Sequence, residues 1–158
     1  MKRHSGWISL VFLTAVLSAC ATGPVKRVSP PAASIQQLTV NADGSWIVDL
    51  RLQNYSSMPM RFTRASLAIT VGDQAAGTLE AAPQISVGPE SADVVSLPFS
   101  PSVEARIVVA DALAGRKSLG YALKGPVDAT PETGKSRTFK TESRNTLTPV
   151  PGLDGVLR

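Results

Sequence analysis

The chain has 158 residues, with 16 Lys and Arg, 12 Asp and Glu, one His and one Cys, and a formal net charge of +4. A single cysteine excludes an intramolecular disulfide framework, and the weak, scattered positive charge is not typical of nucleic-acid binding, so we expect no nucleic-acid partner. The length is sufficient for one domain with a substantial core.

An N-terminal export signal is the clearest pattern in the sequence. Residues 1–4 form a short basic head and 7–17 are mostly apolar, which is typical of a signal peptide. The apolar stretch is too short for a transmembrane helix, since a bilayer span needs about 20 apolar residues. The end of the signal resembles the lipobox of bacterial lipoproteins: Leu17, Ser18, Ala19 and Cys20.

The lipobox resemblance implies that the lipoprotein signal peptidase recognises the three residues before Cys20, that residues 1–19 are removed, and that Cys20 becomes the acylated N-terminus. Two or three acyl chains would hold the protein on the membrane effectively permanently. Ala21 stands where an Asp retains such lipoproteins in the inner membrane. The expected location is therefore the outer membrane, facing the periplasm, rather than the inner membrane. An ordinary signal peptide with a coincidental cysteine is the alternative.

Cleavage would also change the chemistry of the chain. Loss of residues 1–19 removes two cations and the single histidine, which leaves 14 basic and 12 acidic residues and no imidazole. Acylation of Cys20 would remove the single thiol. Cysteine–histidine and serine–histidine–aspartate catalysis and the usual zinc sites are then excluded. We expect no metal and no cofactor.

Residues 20–34 predict a lipidated N-terminus followed by a Pro-rich tether. Within this tether, Lys26 and Arg27 either touch acidic lipid head groups or are simply solvated. Residues 35–129 predict a β-sandwich, and residues 130–158 predict a final polar strand and a Pro-rich C-terminal arm.

The sandwich region alternates between apolar and polar residues with the period of β-strands. A strand at 35–40 is followed by an Asp-Gly turn at 41–44. A weaker strand at 74–82 and a strand containing Pro98 are expected at sheet edges, because Pro cannot donate to a ladder. Two longer strands predict inward faces: Trp46, Val48, Leu50 and Leu52 in the first, and Ala65, Leu67, Ile69 and Val71 in the second.

Residues 102–114 predict one helix, with Ser102 as its N-cap and Gly115 after its end. The β-branched run at 107–109 leaves a strand as the alternative. The predicted buried face of the helix consists of four residues at helical spacing: Val103, Ile107, Ala110 and Ala114.

The last part of the chain predicts a strand at 119–127, with Tyr121 as a core residue rather than a ligand contact, and a strand around Phe139. The following arm is either packed on the sandwich or loose. About seven short strands with turns between them and no alternation with helices indicate a mainly β, antiparallel sandwich.

Turns and strand ends follow one another in a characteristic order. They are Asn54, Pro59, Val71-Gly72-Asp73, Gly77, Gly88-Pro89-Glu90-Ser91 and Tyr121-Ala122-Leu123-Lys124-Gly125. This order resembles the group 2 late-embryogenesis-abundant (LEA type 2) family, or water-stress and hypersensitive-response domain, in a bacterial lipoprotein form. One departure is Asn54-Tyr55-Ser56, where the family often has Asn-Pro-Asn. The resemblance implies an immunoglobulin-like or fibronectin-like sandwich with one helix, a role in desiccation or envelope stress, and no shared catalytic activity.

Three functions follow from these observations. The leading hypothesis is a non-enzymatic, lipid-anchored interaction module that recognises an envelope protein, a lipid, or an apolar ligand between its sheets. The second is a diffuse structural or protective protein without a defined site. The third, an enzyme, would need paired carboxylates as in a hydrolase. The carboxylates available for it mostly lie on predicted outward faces or turns: Asp49, Asp73, Glu80, Glu90, Asp93, Glu104 and Asp111.

Overall fold

The computed structural model of the protein describes Gly23 and residues 26–158. The predicted signal peptide and the four lipobox residues lie outside this part of the chain. The described residues form two antiparallel sheets and one helix, which confirms the predicted β-sandwich.

The first sheet has the strand order β6-β2-β1-β9 and the second has the order β4-β3-β7-β8, with β5 beside β3. The strands are β1 (Ala32–Val40), β2 (Trp46–Gln53), β3 (Met60–Val71), β4 (Gln74–Ala81), β5 (Ile85–Val87), β6 (Ala92–Phe99), β7 (Leu119–Pro131), β8 (Arg137–Leu147) and β9 (Val156–Leu157). Helix α1 (Val103–Ala114) connects β6 of the first sheet to β7 of the second. The edge positions predicted for the strands at 74–82 and around Pro98 are confirmed by β4 and β6.

The core lies between the sheets and is built by the alternation of β2 and β3. Both inward faces predicted from the sequence are buried, and the four residues of the β2 face have no exposed surface. Trp46 packs against Phe99 at a ring-centroid distance of 5.9 Å. Burying each large apolar side chain stabilises the fold by roughly 1.5–3 kcal/mol, so this alternation accounts for the orientation of both sheets.

Strand β1 begins at Ala32, inside the stretch predicted to be a tether. Residues 32–34 pair with residues 51–53 of β2 and so belong to the first sheet. At the other end of the chain, the predicted arm returns to the sandwich, where β9 pairs with Leu38 and Thr39 of β1. The arm is therefore packed on the domain.

The turns that contain Gly72 and Gly88 differ in the residue that adopts a positive φ. In the first turn it is the glycine, since Gly72 has φ of 55°. Gly88 is not among the positive-φ residues, and Glu90 takes that conformation instead, with φ of 48°.

Helix α1 is confirmed, but its predicted buried face is wrong. The Ala105 N–H donates to the Ser102 side-chain oxygen over 3.2 Å, as expected for an N-cap. The residues that pack inward are Ala105, Val109 and Ala112, and Val103 and Ile107 are each 64% exposed. Small residues at 105 and 112 let the helix approach the sheets closely, which explains why this face rather than the bulkier one turns inward.

The two sheets are joined along one side by hydrogen bonds to β1. The Ile35 N–H donates to the Tyr121 hydroxyl over 2.9 Å, and that hydroxyl donates to the Ile35 carbonyl oxygen over 3.3 Å. Burial raises the pKa of the Tyr121 phenol above its usual range, which keeps it protonated as a donor. Thr141 and Ser143 of β8 donate to the carbonyl oxygens of Pro31 and Ala33.

Gly125 is required where β7 passes β3. A Cβ atom at this position would overlap the Ser66 carbonyl oxygen, whereas a Cβ at Gly120 of the same strand would meet no atom within 4 Å. We expect Gly125→Ala to lower the free energy of unfolding by about 1–3 kcal/mol, because the backbone of β3 or β7 must shift. Gly120→Ala is the matched control and should change it by less than about 0.5 kcal/mol. Urea unfolding curves measure both, and equal stabilities would contradict the prediction.

Candidate functional site

The chain enters the sandwich at the end that carries the loop 54–59. The Arg27 N–H donates to the Ser57 hydroxyl over 2.7 Å, and the Ser57 N–H donates to the Arg27 carbonyl oxygen over 3.0 Å. The Ser29 N–H donates to the Ser56 hydroxyl over 2.9 Å. The segment 27–29 is therefore held by backbone and hydroxyl hydrogen bonds and is not a free part of the tether.

Arg27 also makes two side-chain contacts at this end. Its guanidinium lies 3.4 Å from a Glu90 carboxylate oxygen and 3.3 Å from the Tyr55 carbonyl oxygen. Both charged side chains are more than half exposed, so the ion pair contributes little to stability. The two interpretations from the sequence were contact with acidic lipid head groups or simple solvation, and neither included these contacts of Arg27 with the domain surface.

Asn54 organises the loop that receives this segment. Its fully buried side chain donates to the carbonyl oxygens of Met58 and Gly88, each over 2.8 Å, and of Val87 over 3.2 Å. Its own oxygen accepts from the Ser56 N–H over 2.8 Å. The sequence predicted a local turn at Asn54, and the structure shows that it also joins this loop to the turn after β5.

The opposite end of the sandwich carries α1 and three of the five large hydrophobic side chains that are exposed among the described residues: Val103, Ile107 and Leu153. Val103, Ile107, Ala110 and Ala114 all face solvent, and we call these four residues the helix face. Beside the C-terminal end of α1, Leu113, Arg116 and the segment 148–155 line a cleft of ≈ 490 Å³. Leu153 in this cleft is 49% exposed. The helix face is an exposed apolar surface, and the cleft combines apolar side chains with the charged side chains of Arg116 and Asp154.

The carboxylates considered for an enzyme are spread over the surface. Six of the seven are exposed, and the seventh, Asp49, accepts a hydrogen bond from the Ser96 hydroxyl over 2.6 Å. Within Gly23 and residues 26–158, no group of three or more His, Cys, Asp or Glu side chains is arranged to hold a metal ion. The pKa of Asp43 is lowered by the hydroxyl and N–H of Ser45, which is a turn interaction rather than a sign of catalysis.

The helical spacing in the sequence identified the four residues of the helix face as one group but predicted that they are buried, whereas the structure exposes all four. Tyr121 is a core residue, as predicted, with 4% of its surface exposed. No helix in the described part of the chain has the length and hydropathy of a membrane span. Leu17, Ser18, Ala19 and Cys20 lie outside the described residues, so their roles stay predictions.

Comparison with known proteins gives structural likeness alone. No family model and no curated protein matches the chain. The solution structure of AT1g01470 from Arabidopsis thaliana has a TM-score of 0.48 and 12% identity, covering 84% of this chain and 85% of that one. A crystal structure of a protein from Archaeoglobus fulgidus has a TM-score of 0.39 and 13% identity, covering 76% and 97%. An X-ray structure of a structural-genomics target has a TM-score of 0.45 and 9% identity, covering 80% and 92%. All three TM-scores lie below 0.5, so these likenesses carry no further conclusion. The strand pairing of this chain itself defines the sandwich.

Asn54→Asp tests the role of the buried amide. The change replaces a donor to three carbonyl oxygens with a buried carboxylate, so we expect the free energy of unfolding at pH 7 to fall by about 3 kcal/mol or more. Burial and the carbonyl oxygens raise the pKa of the new carboxyl in the folded state, so part of the loss should be recovered as the pH is lowered and the carboxyl becomes protonated. Asn41→Asp, at an exposed position, is the control. Urea unfolding at two pH values measures the effect, and a pH-independent loss would refute the proposed cause.

Proposed function

We propose that this chain is a lipid-anchored, non-enzymatic interaction module, acylated at Cys20 and facing the periplasm from the outer membrane. The support for the anchor is the lipobox-like sequence before Cys20. The observation that carries the interaction role is the placement of the helix face at the end of the sandwich opposite to the point where the chain enters.

The docked segment makes the link between lipid and domain short. Seven residue steps separate Cys20 from Arg27, and a fully extended chain covers at most about 25 Å over that length. The entry end of the sandwich would therefore stay close to the membrane surface. Strand β2, which has eight residues, spans roughly 26 Å, and α1 lies beyond its far end. An upright domain would hold the helix face away from the lipid, toward other envelope components.

The absence of a reactive cluster among the described residues supports a binding role over an enzymatic one. The carboxylates are dispersed, and the mature chain would have no histidine and no free thiol. The exposed apolar helix face, with a cleft of mixed polarity beside it, is instead a feature expected of a surface that recognises a protein or a lipid. A protein partner is favoured because the helix face is distant from the tethered end.

We also propose that the domain belongs with the LEA type 2 proteins, in a bacterial lipoprotein form. The residues that carry this resemblance have structural roles here, since Asn54 joins two loops, Gly72 makes a turn and Tyr121 joins the sheets. A role in envelope or desiccation stress rests on this resemblance alone.

Cys20→Ala tests the anchor. Without the thiol no acyl chain can be attached, so we expect loss of radiolabelled palmitate incorporation and a protein that is either uncleaved or released in soluble form. Ala21→Ser, which keeps the cysteine, is the control and should remain acylated. Palmitate labelling and flotation on a density gradient measure the two properties. Normal acylation and membrane retention of Cys20→Ala would refute the proposal.

Ala21→Asp tests the expected membrane separately. In the sorting pattern that the sequence resembles, this change retains the lipoprotein in the inner membrane. We therefore expect the acylated protein to move from the outer-membrane to the inner-membrane fraction in a sucrose gradient. A wild-type protein already found in the inner-membrane fraction would contradict the proposed location while leaving the lipid anchor intact.

A further inference from the structure

Helix α1 is apolar on two opposite faces. Ala105, Val109 and Ala112 pack against the sheets, and the helix face lies on the other side, where Val103 and Ile107 are each 64% exposed. A helix at the surface of a domain normally turns polar residues to solvent, and one that is apolar on both sides is typically covered on both sides. The exposed stripe therefore indicates a surface that is covered by something outside the described residues.

Charge distinguishes the two flanks of the helix face. At about 100° per residue, Glu104 and Asp111 lie along one flank, and Arg106 and Leu113 lie along the other. Glu104 makes no ion pair with any residue that the structure describes. Asp111 lies 3.9 Å from the Lys117 ammonium, but both side chains are largely exposed, so its charge stays available to a partner. The apolar stripe thus has an acidic flank, and on the other side it continues through Leu113 into the cleft.

Two occupants from within the protein are disfavoured by this geometry. The described segment 27–29 is bound at the opposite end of the sandwich. After the predicted cleavage only six residues would precede residue 26, and six residues span at most about 21 Å, which is too short to cover α1. In a two-fold antiparallel pair of α1 helices, the flank with Glu104 and Asp111 would face the same flank of the second copy. Four carboxylates would then lie together and repel one another. In a parallel pair, the acidic flank of one helix would face the Arg106 flank of the other. Arg106 would then have to pair with these carboxylates, but its side chain already packs against Gly44 in the β1–β2 turn.

Anionic lipid is disfavoured as well. A phosphate-rich surface would meet the exposed carboxylates of Glu104 and Asp111, and like charges repel at such an interface. The complementary surface is instead one that is apolar along its centre and basic along one side. An amphipathic helix provides this combination in its simplest form.

We propose that the helix face binds an amphipathic helix of another envelope protein, with an apolar stripe flanked by Lys or Arg on the side that meets Glu104 and Asp111. Ala110 and Ala114 permit close approach of the partner backbone, and Ile107 lies near the centre of the contact. This inference deepens the proposed function by naming the chemistry of the partner. It does not depend on which membrane holds the anchor.

The test uses the lipidated protein in nanodiscs of uncharged phosphatidylcholine and two fluorescent helical peptides. The peptides share one Leu/Ala stripe, and one is flanked by Lys and the other by Glu. Fluorescence anisotropy should show that the Lys-flanked peptide binds about threefold or more tightly than the Glu-flanked one. Ile107→Glu should weaken this binding about tenfold. Val94→Glu, at a 37% exposed position on β6, is the matched control and should leave binding unchanged.

Reversal of one flank gives the sharpest outcome. Glu104→Lys should remove the preference for the Lys-flanked peptide or invert it, with circular dichroism unchanged because the position is exposed. Equal affinity for both peptides, binding that is insensitive to Ile107→Glu, or no binding of either peptide would overturn the proposal. Ile107-dependent binding of the protein to phosphatidylglycerol vesicles would also overturn it, in favour of lipid. Loss of acylation at Cys20 would instead count against the proposed anchor alone.

Discussion

The hydroxyl of Tyr121 joins the two sheets at the point where β1 leaves regular pairing with β2. The register of β1 shifts between Ile35 and Gln37, and the main chain of Ile35 there exchanges hydrogen bonds with the phenol of β7. An unsatisfied buried N–H costs about 1–3 kcal/mol. The Tyr121 hydroxyl avoids this cost at the irregularity in β1 because it accepts a hydrogen bond from the Ile35 N–H. Thr141 and Ser143 extend the same connection along β8. The first half of β1 is thereby fixed against the second sheet, and so is the point where the chain enters the domain.

The fixed strand β1 also determines which end of the sandwich receives the N-terminal segment and which end carries α1. At the entry end, Asn54 holds the loop on which the segment 27–29 is bound. At the far end, α1 closes the sandwich with small residues and leaves its bulkier apolar residues outside. A fixed entry point and an exposed apolar surface at the far end are the two structural features on which the proposed membrane-anchored interaction module depends.

Much of the sandwich could be predicted because β2 alternates along its whole length and β3 alternates from Ala65 to Val71, after an irregularity between Phe62 and Arg64. Period-two alternation determines which side chains are buried, so Trp46 and Leu67 were assigned correctly. The start of β1 was missed because Ala32, Ala33 and Ser34 are small residues that follow prolines and carry no strand signal. Strands β5 and β9 were missed because two or three residues show no period. Their pairing depends on tertiary contacts that a local pattern does not contain.

The orientation of α1 shows a different limit of prediction from sequence. Both faces of α1 carry apolar residues at helical spacing, so periodicity alone favoured the face with the larger side chains, and packing space at the sheets selected the smaller one. The binding of the segment 27–29 to the domain also could not be predicted from the sequence, because it depends on main-chain groups and on the serine hydroxyls of a distant loop. The lipobox-like sequence is the reverse case, since it lies outside the described residues and its proposed acylation depends on the sequence alone.

The short strand β9 has a consequence for the behaviour of the protein at high density. It covers the backbone groups of β1 at Leu38 and Thr39, and side chains of β8 cover those nearer its start. At the opposite edge of the same sheet, Pro98 removes one backbone donor from β6. Molecules crowded on a surface would otherwise associate strand to strand, which is a route to aggregation. Because Leu157 is itself a buried core residue, a change at Val156 that weakens this pairing would reduce solubility more than folding stability.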